Sequence, residues 1–379
     1  MKRGEVYLVC DAGGGTTDLN VLKVEAAAKD RMELVPLSWT EGEAVGSTLI
    51  DWKIRMLIKE RLSHVKHYLT ADIDSTVSAM MQDKFERFKC SFGSVGMDVP
   101  KLFLPIPSLP HGGVVDSEDA RIEDSKMVIT REELRAVFDD QIDKMCSIVD
   151  GQLKIVEENY ATESVSYLIL SGGLGSSSYV QSRIKAKYEW GARAIKVLLA
   201  DEPQLAVVHG LVLSRIQSRR GGPEMYSLRM CPVSFGIICR EGQVIRAATG
   251  VSESYRLKLD MGKEKEPWRT RVVMSTLPVD RLPRSLKWEG AQNVCGVETI
   301  LNPRDMKRKN RHWYDIGKEY NRADFEVRVL VGTGLRYEIW SKDGIRSREH
   351  DEIEVDWQTI ENQLSQRNAD EAGLGIYRS

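Results

Sequence analysis

The chain has 379 residues, of which 42% are hydrophobic and 29% are charged, and its formal net charge is −2. This length is sufficient for two or three globular domains. The near-neutral charge excludes a bulk electrostatic attraction to nucleic acid, and the dense basic cluster at residues 307–311 is better explained as a solvated loop. No apolar run approaches the length of a membrane span, and residues 1–5 do not resemble a signal peptide. We therefore expect neither a nucleic acid nor a membrane partner.

The six cysteines are scattered along the chain, at Cys10, Cys90, Cys146, Cys231, Cys239 and Cys295. They form no Cys-x-x-Cys pair, and no histidine lies beside them at zinc spacing. Cys10 and Cys146 occur in apolar contexts and are expected to be small buried hydrophobic residues in a reducing compartment. The pattern favours a cytoplasmic protein.

The first motif spans residues 6–18, which read Val-Tyr-Leu-Val-Cys-Asp-Ala-Gly-Gly-Gly-Thr-Thr-Asp. A second apolar run follows at residues 20–24, so the glycine loop joins two strands, whereas a Walker loop leads into a helix. Consecutive glycines let backbone N–H groups approach an anion. Asp11 is placed to hold a hydrated divalent cation, and Thr16 and Thr17 can donate to phosphate oxygens. A plain hairpin turn is the alternative, but it does not explain three glycines between two aspartates.

The second motif lies far downstream. Residues 166–170 form a predicted strand, residues 171–178 read Ser-Gly-Gly-Leu-Gly-Ser-Ser-Ser, and residues 179–187 have a helical pattern. A strand, a glycine pair and a helix N-terminus together form a turn suited to anions or nucleotides. This signal is weak by itself, because many α/β proteins carry such a turn.

In this order the two motifs resemble the actin-like ATPase superfamily and, within it, the seventy-kilodalton heat-shock chaperone family. The resemblance implies an α/β, ribonuclease H-like lobe with an inserted helical subdomain, followed by a β-rich domain. It also implies ATP or ADP and Mg²⁺ as cofactors, with Asp11 holding Mg²⁺ through water and Asp11 and Thr16 as catalytic residues. The first motif would contact the β- and γ-phosphates and the second the adenosine, through Gly13, Gly14, Gly15, Thr16 and Thr17, and through Gly172, Gly173 and Gly175.

Further segments carry the same resemblance, which covers about the first 215 residues. Thr130 and Glu133 form a capping box that opens a helix with an apolar stripe, and the family has a similar helix before its Gly-Gly turn. Gly46 and Ser47 resemble the family's turn near the phosphates, and residues 202–210 resemble its closing helix. The resemblance is closest to a divergent branch that lacks a standard peptide-binding half.

Residues 85–90, Phe-Glu-Arg-Phe-Lys-Cys, resemble the helix that grips adenosine. By this resemblance Glu86 would bind the ribose hydroxyls and Lys89 would reach the nucleoside. The alternative is a solvated helix face. Cys90 stands where the family usually has an arginine that stacks on adenine, so the cation–π contribution is expected to be lost.

The predicted domains are residues 1–218, with an insertion at about 50–129, and a β-rich domain at 224–345. Residues 219–223 form the predicted linker, because they contain a glycine pair and a proline. Alternating residues at 325–331 and 335–340 predict a β-hairpin. The tail, 346–379, is expected to be partly helical around residues 357–364.

These observations predict an ATP-binding, chaperone-like protein with weak or no hydrolysis by itself. The chain matches from the family's second lobe onward, so the first phosphate loop and its catalytic lysine are expected to be missing. Two alternatives are a non-catalytic interaction module derived from the family and another superfamily member such as a sugar kinase. Expected partners are client or co-chaperone proteins, together with self-association through the lobe face that would be exposed.

Overall fold

The computed structural model describes most of the chain up to residue 356. The described residues are 1–28, 31–38, 41–96, 99–110, 114–191, 194–219, 228–230, 234–235, 243–246, 249–266, 268–275, 277–283, 287–299, 306–310, 317–331, 334–341 and 353–356. Residues 220–223 of the predicted linker, 219–223, and the predicted helix at residues 357–364 lie outside these ranges.

By its internal contacts the chain divides into two compact units. The first unit comprises Gly4–Leu22 and Thr40–Gly222, and the second comprises Met1–Arg3, Lys23–Trp39 and Pro223–Ser379. This division passes through one strand at Lys23, whereas the sequence analysis assigns residues 1–218 to a single domain. The predicted domain boundaries therefore stay a prediction.

The N-terminal part is a mixed α/β structure. Its strands are β1 (Val6–Ala12), β2 (Thr17–Ala28), β3 (Arg31–Pro36), β4 (Glu41–Glu43), β5 (Lys101–Pro105), β6 (Ile122–Glu123), β7 (Lys126–Thr130), β8 (Val165–Ser171) and β9 (Lys196–Leu199). Its helices are α1 (Ser47–His64), α2 (Ile73–Met80), α3 (Lys84–Ser91), α4 (Arg131–Asn159), the short α5 (Gly172–Gly175), α6 (Ser178–Tyr188) and α7 (Ala206–Arg219), with a 3₁₀ turn at Lys66–Tyr68.

The main sheet has the strand order β3-β2-β1-β8-β9, and β4 pairs with β2. β1 pairs in parallel with β8, and β8 pairs in parallel with β9. The predicted strands on either side of the first glycine motif are confirmed, as are the strand before the second motif and the helix after it. Because β1 and β8 are parallel, both motifs leave the sheet at the same edge.

Helices α1 and α4 supply much of the core of the first unit. Ile50, Ile54, Ile58 and Leu62 lie one turn apart on α1 and are fully buried. On α4 the buried residues follow the predicted apolar stripe and include Leu134, Phe138, Ile142, Met145 and Val149. Between α3 and α4 lies an antiparallel sheet of order β5-β7-β6, so the segment predicted as a helical insertion contains strands as well.

The remaining described elements are strands. They are β10 (Leu228–Met230), β11 (Ser234–Phe235), β12 (Val244–Arg246), β13 (Val251–Asp260), β14 (Trp268–Ser275), β15 (Gln292–Thr299), β16 (Met306–Lys309), β17 (Tyr320–Val331), β18 (Gly334–Ser341) and β19 (Ile353–Asp356), with a 3₁₀ turn at Val279–Arg281. The predicted hairpin is confirmed by the antiparallel pairing of β17 and β18, in which Val331 faces Leu335. Alternate residues of β17, from Ala323 to Val329, are buried, as the period of a strand requires.

Arg61 and Glu133 join α1 to the start of α4. The Arg61 guanidinium is buried, forms an ion pair with Glu133, and donates to the Val128 carbonyl oxygen at 2.9 Å. Glu133 also completes the predicted capping box with Thr130. Burial would raise the pKa of the Glu133 carboxyl, but the Thr130 N–H and the Arg61 guanidinium outweigh burial and lower the pKa. This single carboxylate therefore caps a helix and neutralises a buried cation.

We predict that Glu133→Ala lowers the free energy of unfolding by about 2–4 kcal/mol, because it removes a cap and leaves the Arg61 charge unpaired. The Glu133 pKa is lower in the folded state, so its contribution is complete above the unfolded pKa of about 4.3 and declines as pH falls below it. Urea unfolding at neutral pH and at acid pH measures both effects. Glu132→Ala, an exposed neighbour in the same first turn, is the control. Equal losses for the two variants would contradict this account.

Candidate functional site

The first glycine loop, residues 13–16, connects β1 to β2. The Gly13 N–H donates to the Thr16 carbonyl oxygen at 2.9 Å, which closes the loop on itself. At the start of α1, the N–H groups of Ser47 and Thr48 donate to the carbonyl oxygens of Gly13 and Gly14, at 3.2 and 2.9 Å. The first N–H groups of a helix have no partner within the helix. Here the loop satisfies them, and the loop is thereby fixed against α1.

Gly46 makes this approach sterically feasible. Gly46 is buried, and a Cβ atom at this position would overlap the Gly14 carbonyl and lie 2.8 Å from the Gly15 nitrogen. Next to it, the fully buried Thr17 hydroxyl donates to the Val45 carbonyl oxygen at 2.8 Å. The sequence assigned Gly46, Ser47 and Thr17 to nucleotide contact. In the structure their described contacts hold the loop in place.

The outward side of the first loop is open. Gly14 and Gly15 are exposed, and neither amide N–H donates to an acceptor among the described residues. A Cβ atom added to Gly15 would meet no heavy atom within 4 Å. Thr16 is exposed as well, with its hydroxyl on the Asp18 carboxylate at 3.1 Å. The loop therefore presents free donors to an anion.

The second glycine loop, residues 172–177, lies beside the first at the same edge of the sheet. Asp11 faces Ser171 in the β1–β8 pairing, and the Ser171 hydroxyl donates to the Asp11 Oδ1 atom at 2.8 Å. Gly172 has φ +78°, and a Cβ atom there would overlap the Ala12 carbonyl and lie 2.8 Å from the Asp11 Oδ1 atom. The structure thus brings together two motifs that are 160 residues apart in sequence.

Within the second loop the predicted glycines differ in exposure. Gly172–Gly175 forms a short helical turn in which Gly173 is exposed and Gly175 is buried. The Gly172 N–H donates to the Pro203 carbonyl oxygen at 2.8 Å, which ties the loop to the segment before α7. Gly173 is therefore the predicted glycine of this loop that is most open to solvent.

Two carboxylates give the site a negative charge. Partial burial raises the pKa of the Asp18 carboxyl; the hydrogen bond from Thr16 opposes this rise, and the nearby Asp11 charge adds to it. Just before Asp11, burial raises the pKa of the Cys10 thiol to about 12, so this thiol is neutral and structural. A site with two carboxylates beside free N–H donors can hold a phosphate together with a cation.

Helix α3 carries the predicted nucleoside residues. Lys89 binds both carboxylate oxygens of Asp51 on α1, at 2.7 and 2.8 Å, and its side chain is 14% exposed. Glu86 and Cys90 are exposed and line a pocket of about 390 Å³ together with Asp83 and Arg87. The described contacts therefore assign Lys89 to an ion pair, and they leave Glu86 and Cys90 open to a ligand.

The end of α3 is held against the start of α6, the helix that follows the second loop. Gly93 has φ +80°, and a Cβ atom there would lie 2.7 Å from the Tyr179 Cα atom. The Phe92 ring packs on the rings of Phe138 and Tyr179, with centroids 5.0 and 4.8 Å apart. These contacts connect the pocket on α3 to the second glycine loop.

Sequence reasoning missed several residues that shape this region. Gly93 had a local signal, because a glycine just after a helix end commonly adopts positive φ. Asp51 and Tyr179 had none, because their partners Lys89 and Gly93 are distant in sequence. Among the described residues there is no group of three or more His, Cys, Asp or Glu side chains that could hold a metal ion.

Comparison with known proteins gives two distant similarities, and no family model matches the chain. The human heat shock 70 kDa protein 12B is 24% identical over 248 residues, which cover 62% of this chain and 34% of that protein. The chaperone protein dnaK1 of Prochlorococcus marinus subsp. pastoris is 24% identical over 178 residues, which cover 47% of this chain and 24% of that protein. The chain thus spans about a third or less of these curated relatives.

These similarities support a distant relationship to the seventy-kilodalton heat shock proteins. The mixed α/β structure is compatible with an actin-like ATPase fold. Cys10 and Cys146 are buried free cysteines, as predicted, whereas Cys90 is exposed. Among the helices of the described residues, none is both long and apolar enough to cross a membrane.

We predict different effects on stability for two glycines, Gly46, which contacts the first loop, and Gly15, which is part of it. Gly46→Ala should destabilise the protein by about 1–3 kcal/mol or more, because its Cβ would be forced into the loop backbone. Gly15→Ala should change the stability by less than about 0.5 kcal/mol, because its Cβ meets open space. Thermal unfolding of both variants decides this. A stable Gly46→Ala protein would show that the loop is not held tightly against α1.

Proposed function

We propose that this chain is an ATP- and ADP-binding, chaperone-like protein related to the seventy-kilodalton heat shock proteins, with weak or no hydrolysis by itself. The observation that carries the proposal is the placement of two glycine loops at neighbouring parallel strand ends, with the free N–H groups of Gly14 and Gly15 on the open side. Strand ends of this kind are where α/β proteins bind nucleotides. The distant similarity to two heat-shock and chaperone proteins supports the same assignment.

In this proposal the first loop binds the β- and γ-phosphates, and the second loop binds the adenosine end. The N–H groups of Gly14 and Gly15 and the Thr16 hydroxyl are the donors to phosphate, with Gly13 and Thr17 holding the loop in shape. Gly173 and the exposed Glu86 of α3 are the contacts proposed for the nucleoside. Lys89 acts by orienting α3 through Asp51.

Asp11 fits the proposed role of holding Mg²⁺ through water. Mg²⁺ usually keeps several waters and takes one or two carboxylates plus substrate phosphates. Asp11, with Asp18 nearby, supplies that kind of donor set, and the cation would neutralise phosphate charge. Asp11 itself is oriented by the Ser171 hydroxyl at 2.8 Å.

Weak hydrolysis follows from the charges at the site. Phosphoryl transfer depends on positive charge clamped around the transferred group. Within the described residues, the charged groups hydrogen-bonded at the two loops are Asp11 and Asp18, both anionic, and Lys89 is bound to Asp51. We therefore propose nucleotide binding as the main activity of this chain, in the cytoplasm, with client or co-chaperone proteins as partners.

A second candidate is a non-catalytic interaction module that has lost nucleotide binding. The observation that favours it is the ion pair of Lys89 with Asp51, because it removes the one lysine predicted to reach the nucleoside. Nucleotide titration separates the two candidates.

We predict weak binding of Mg-ADP and Mg-ATP in calorimetry, because Cys90 offers no stacking cation. Gly15→Val should weaken binding at least about tenfold, or 1.4 kcal/mol, by filling the open side of the loop, while its melting temperature stays unchanged. Gly151→Ala, in the middle of α4 with open space around its added Cβ, is the control and should bind like the unaltered chain. Equal nucleotide binding by Gly15→Val and the unaltered chain would show that the first loop is not part of the nucleotide site. No nucleotide binding by the unaltered chain would favour the interaction module.

We predict phosphate release near background for the purified chain. Each missing stabilising donor costs about 10²–10³ in rate, and the described site offers few. A steady-state phosphate-release assay should give the same low rate for the unaltered chain and for Asp11→Asn. Turnover comparable to an intact chaperone and abolished by Asp11→Asn would overturn the prediction.

A further inference from the structure

The segment that follows α3 packs directly against the first turn of α6. Gly93 has φ +80°, and a Cβ atom at this position would lie 2.7 Å from both the Cα and the Cβ atoms of Tyr179. One residue further along, the Ser94 hydroxyl donates to the Ser178 hydroxyl at 3.2 Å. These residues all belong to the first unit, so the contact between α3 and α6 lies entirely within it.

Aromatic rings bury this contact. The Phe92 ring, which packs on the rings of Phe138 and Tyr179, is 2% exposed. Phe138 and Tyr179 also meet each other edge to face, with centroids 5.7 Å apart, and the Tyr179 hydroxyl donates to the Asp139 Oδ1 atom on α4 at 2.8 Å. A close-packed cluster of this kind yields little to strain. The distance between the end of α3 and the start of α6 is therefore fixed.

Each side of the contact leads to a residue proposed to bind the nucleoside. Glu86 lies on α3, and Gly173 lies in the second loop. The Gln181 side-chain amide of α6 donates to the Ser176 carbonyl oxygen at 2.8 Å, so the second loop is held to α6. A ligand that contacts both Glu86 and Gly173 needs their spacing to be fixed within about 0.5 Å. The contact between α3 and α6 fixes that spacing.

The first loop is held by different contacts. The N–H groups of Ser47 and Thr48 fix Gly13 and Gly14 against the start of α1, and the Thr48 hydroxyl also donates to the Gly14 carbonyl oxygen at 2.7 Å. These contacts are separate from those between α3 and α6. A displacement of α3 from α6 therefore leaves the donors proposed for phosphate in place.

We propose that Gly93 and Tyr179 are positioning residues that set the affinity of the site for the nucleoside part of a nucleotide, whereas the first loop sets the affinity for its phosphates. This inference rests on the proposed nucleotide binding and names the part of the fold that favours a nucleotide over a bare polyphosphate. A Cβ atom at Gly93 would push α3 and α6 about 1 Å apart, because carbon atoms pack at about 3.5–4.0 Å.

Phosphorus NMR titrations of the full chain with Mg-ADP and with Mg-pyrophosphate test the proposal. Gly93→Ala should weaken Mg-ADP binding at least about tenfold and should change Mg-pyrophosphate binding by less than about twofold. The control is Gly96→Ala. Gly96 has φ +83°, so an alanine there meets the same backbone strain, but its Cβ atom would contact no heavy atom of the described residues within 4 Å. This control should bind both ligands like the unaltered chain.

Two tyrosines of α6 give a second matched pair. Tyr179 and Tyr188 are each 7% exposed, and each donates at 2.8 Å to an aspartate of α4, Asp139 and Asp150 respectively. They lie about 13 Å apart along the helix axis, and Tyr179 is the one beside Gly93. Tyr179→Leu should weaken Mg-ADP binding at least about fivefold and leave Mg-pyrophosphate binding unchanged. Tyr188→Leu should lower the melting temperature comparably and keep the affinity for both ligands.

Circular dichroism melting establishes which variants are folded, and the tyrosine pair decides the matter if Gly93→Ala does not fold. Equal losses of Mg-ADP and Mg-pyrophosphate binding would overturn the inference, because they would show a general loss of structure. Equal effects of Tyr179→Leu and Tyr188→Leu on Mg-ADP binding would also overturn it, as would unchanged Mg-ADP binding by Tyr179→Leu. If the unaltered chain binds neither ligand, the proposed function itself is wrong, and this inference fails with it.

Discussion

The parallel pairing of β1 with β8 is the constraint on which the candidate site depends. It sets Asp11 opposite Ser171 and brings the Gly172 backbone against the Ala12 carbonyl, where a Cβ atom has no space. A slip of one residue would move Asp11 to the other face of the sheet. It would also separate the two glycine loops. The hydrogen bond from Ser171 to Asp11, at 2.8 Å, is formed in this register.

The glycines of the site serve two different purposes. Gly46, Gly93 and Gly172 permit close approach of one backbone to another, and each would clash with a neighbour if it had a side chain. Gly14 and Gly15 instead are exposed, and their N–H groups donate to no acceptor among the residues that the structure describes. The first group assembles the site, and the second group is where a ligand would bind. A single sequence pattern, a run of glycines, cannot distinguish these roles, because they differ only in what lies opposite.

The charged residues of the first unit fall into the same two groups. Some hold the elements together, and others lie at the candidate site. Arg61 with Glu133 and Lys89 with Asp51 are neutralised pairs that fix α1 against α4 and α3. Asp11 and Asp18 remain as carboxylates at the loops, and the Asp11 charge contributes to the raised pKa of Asp18. These two carboxylates and the nearby glycine N–H groups are the basis of the proposed Mg²⁺ and phosphate site.

The sequence by itself determined the strands around both glycine motifs, the capping box of Thr130 and Glu133, the apolar stripe of α4 and the hairpin of β17 with β18. These are local patterns, because the residues that form each of them lie close together in the sequence. Tertiary structure alone decided that Lys89 binds Asp51, that the Thr17 hydroxyl turns inward to Val45, and that Gly93 packs on Tyr179. These contacts depend on which distant elements the fold brings together, and no local pattern encodes that.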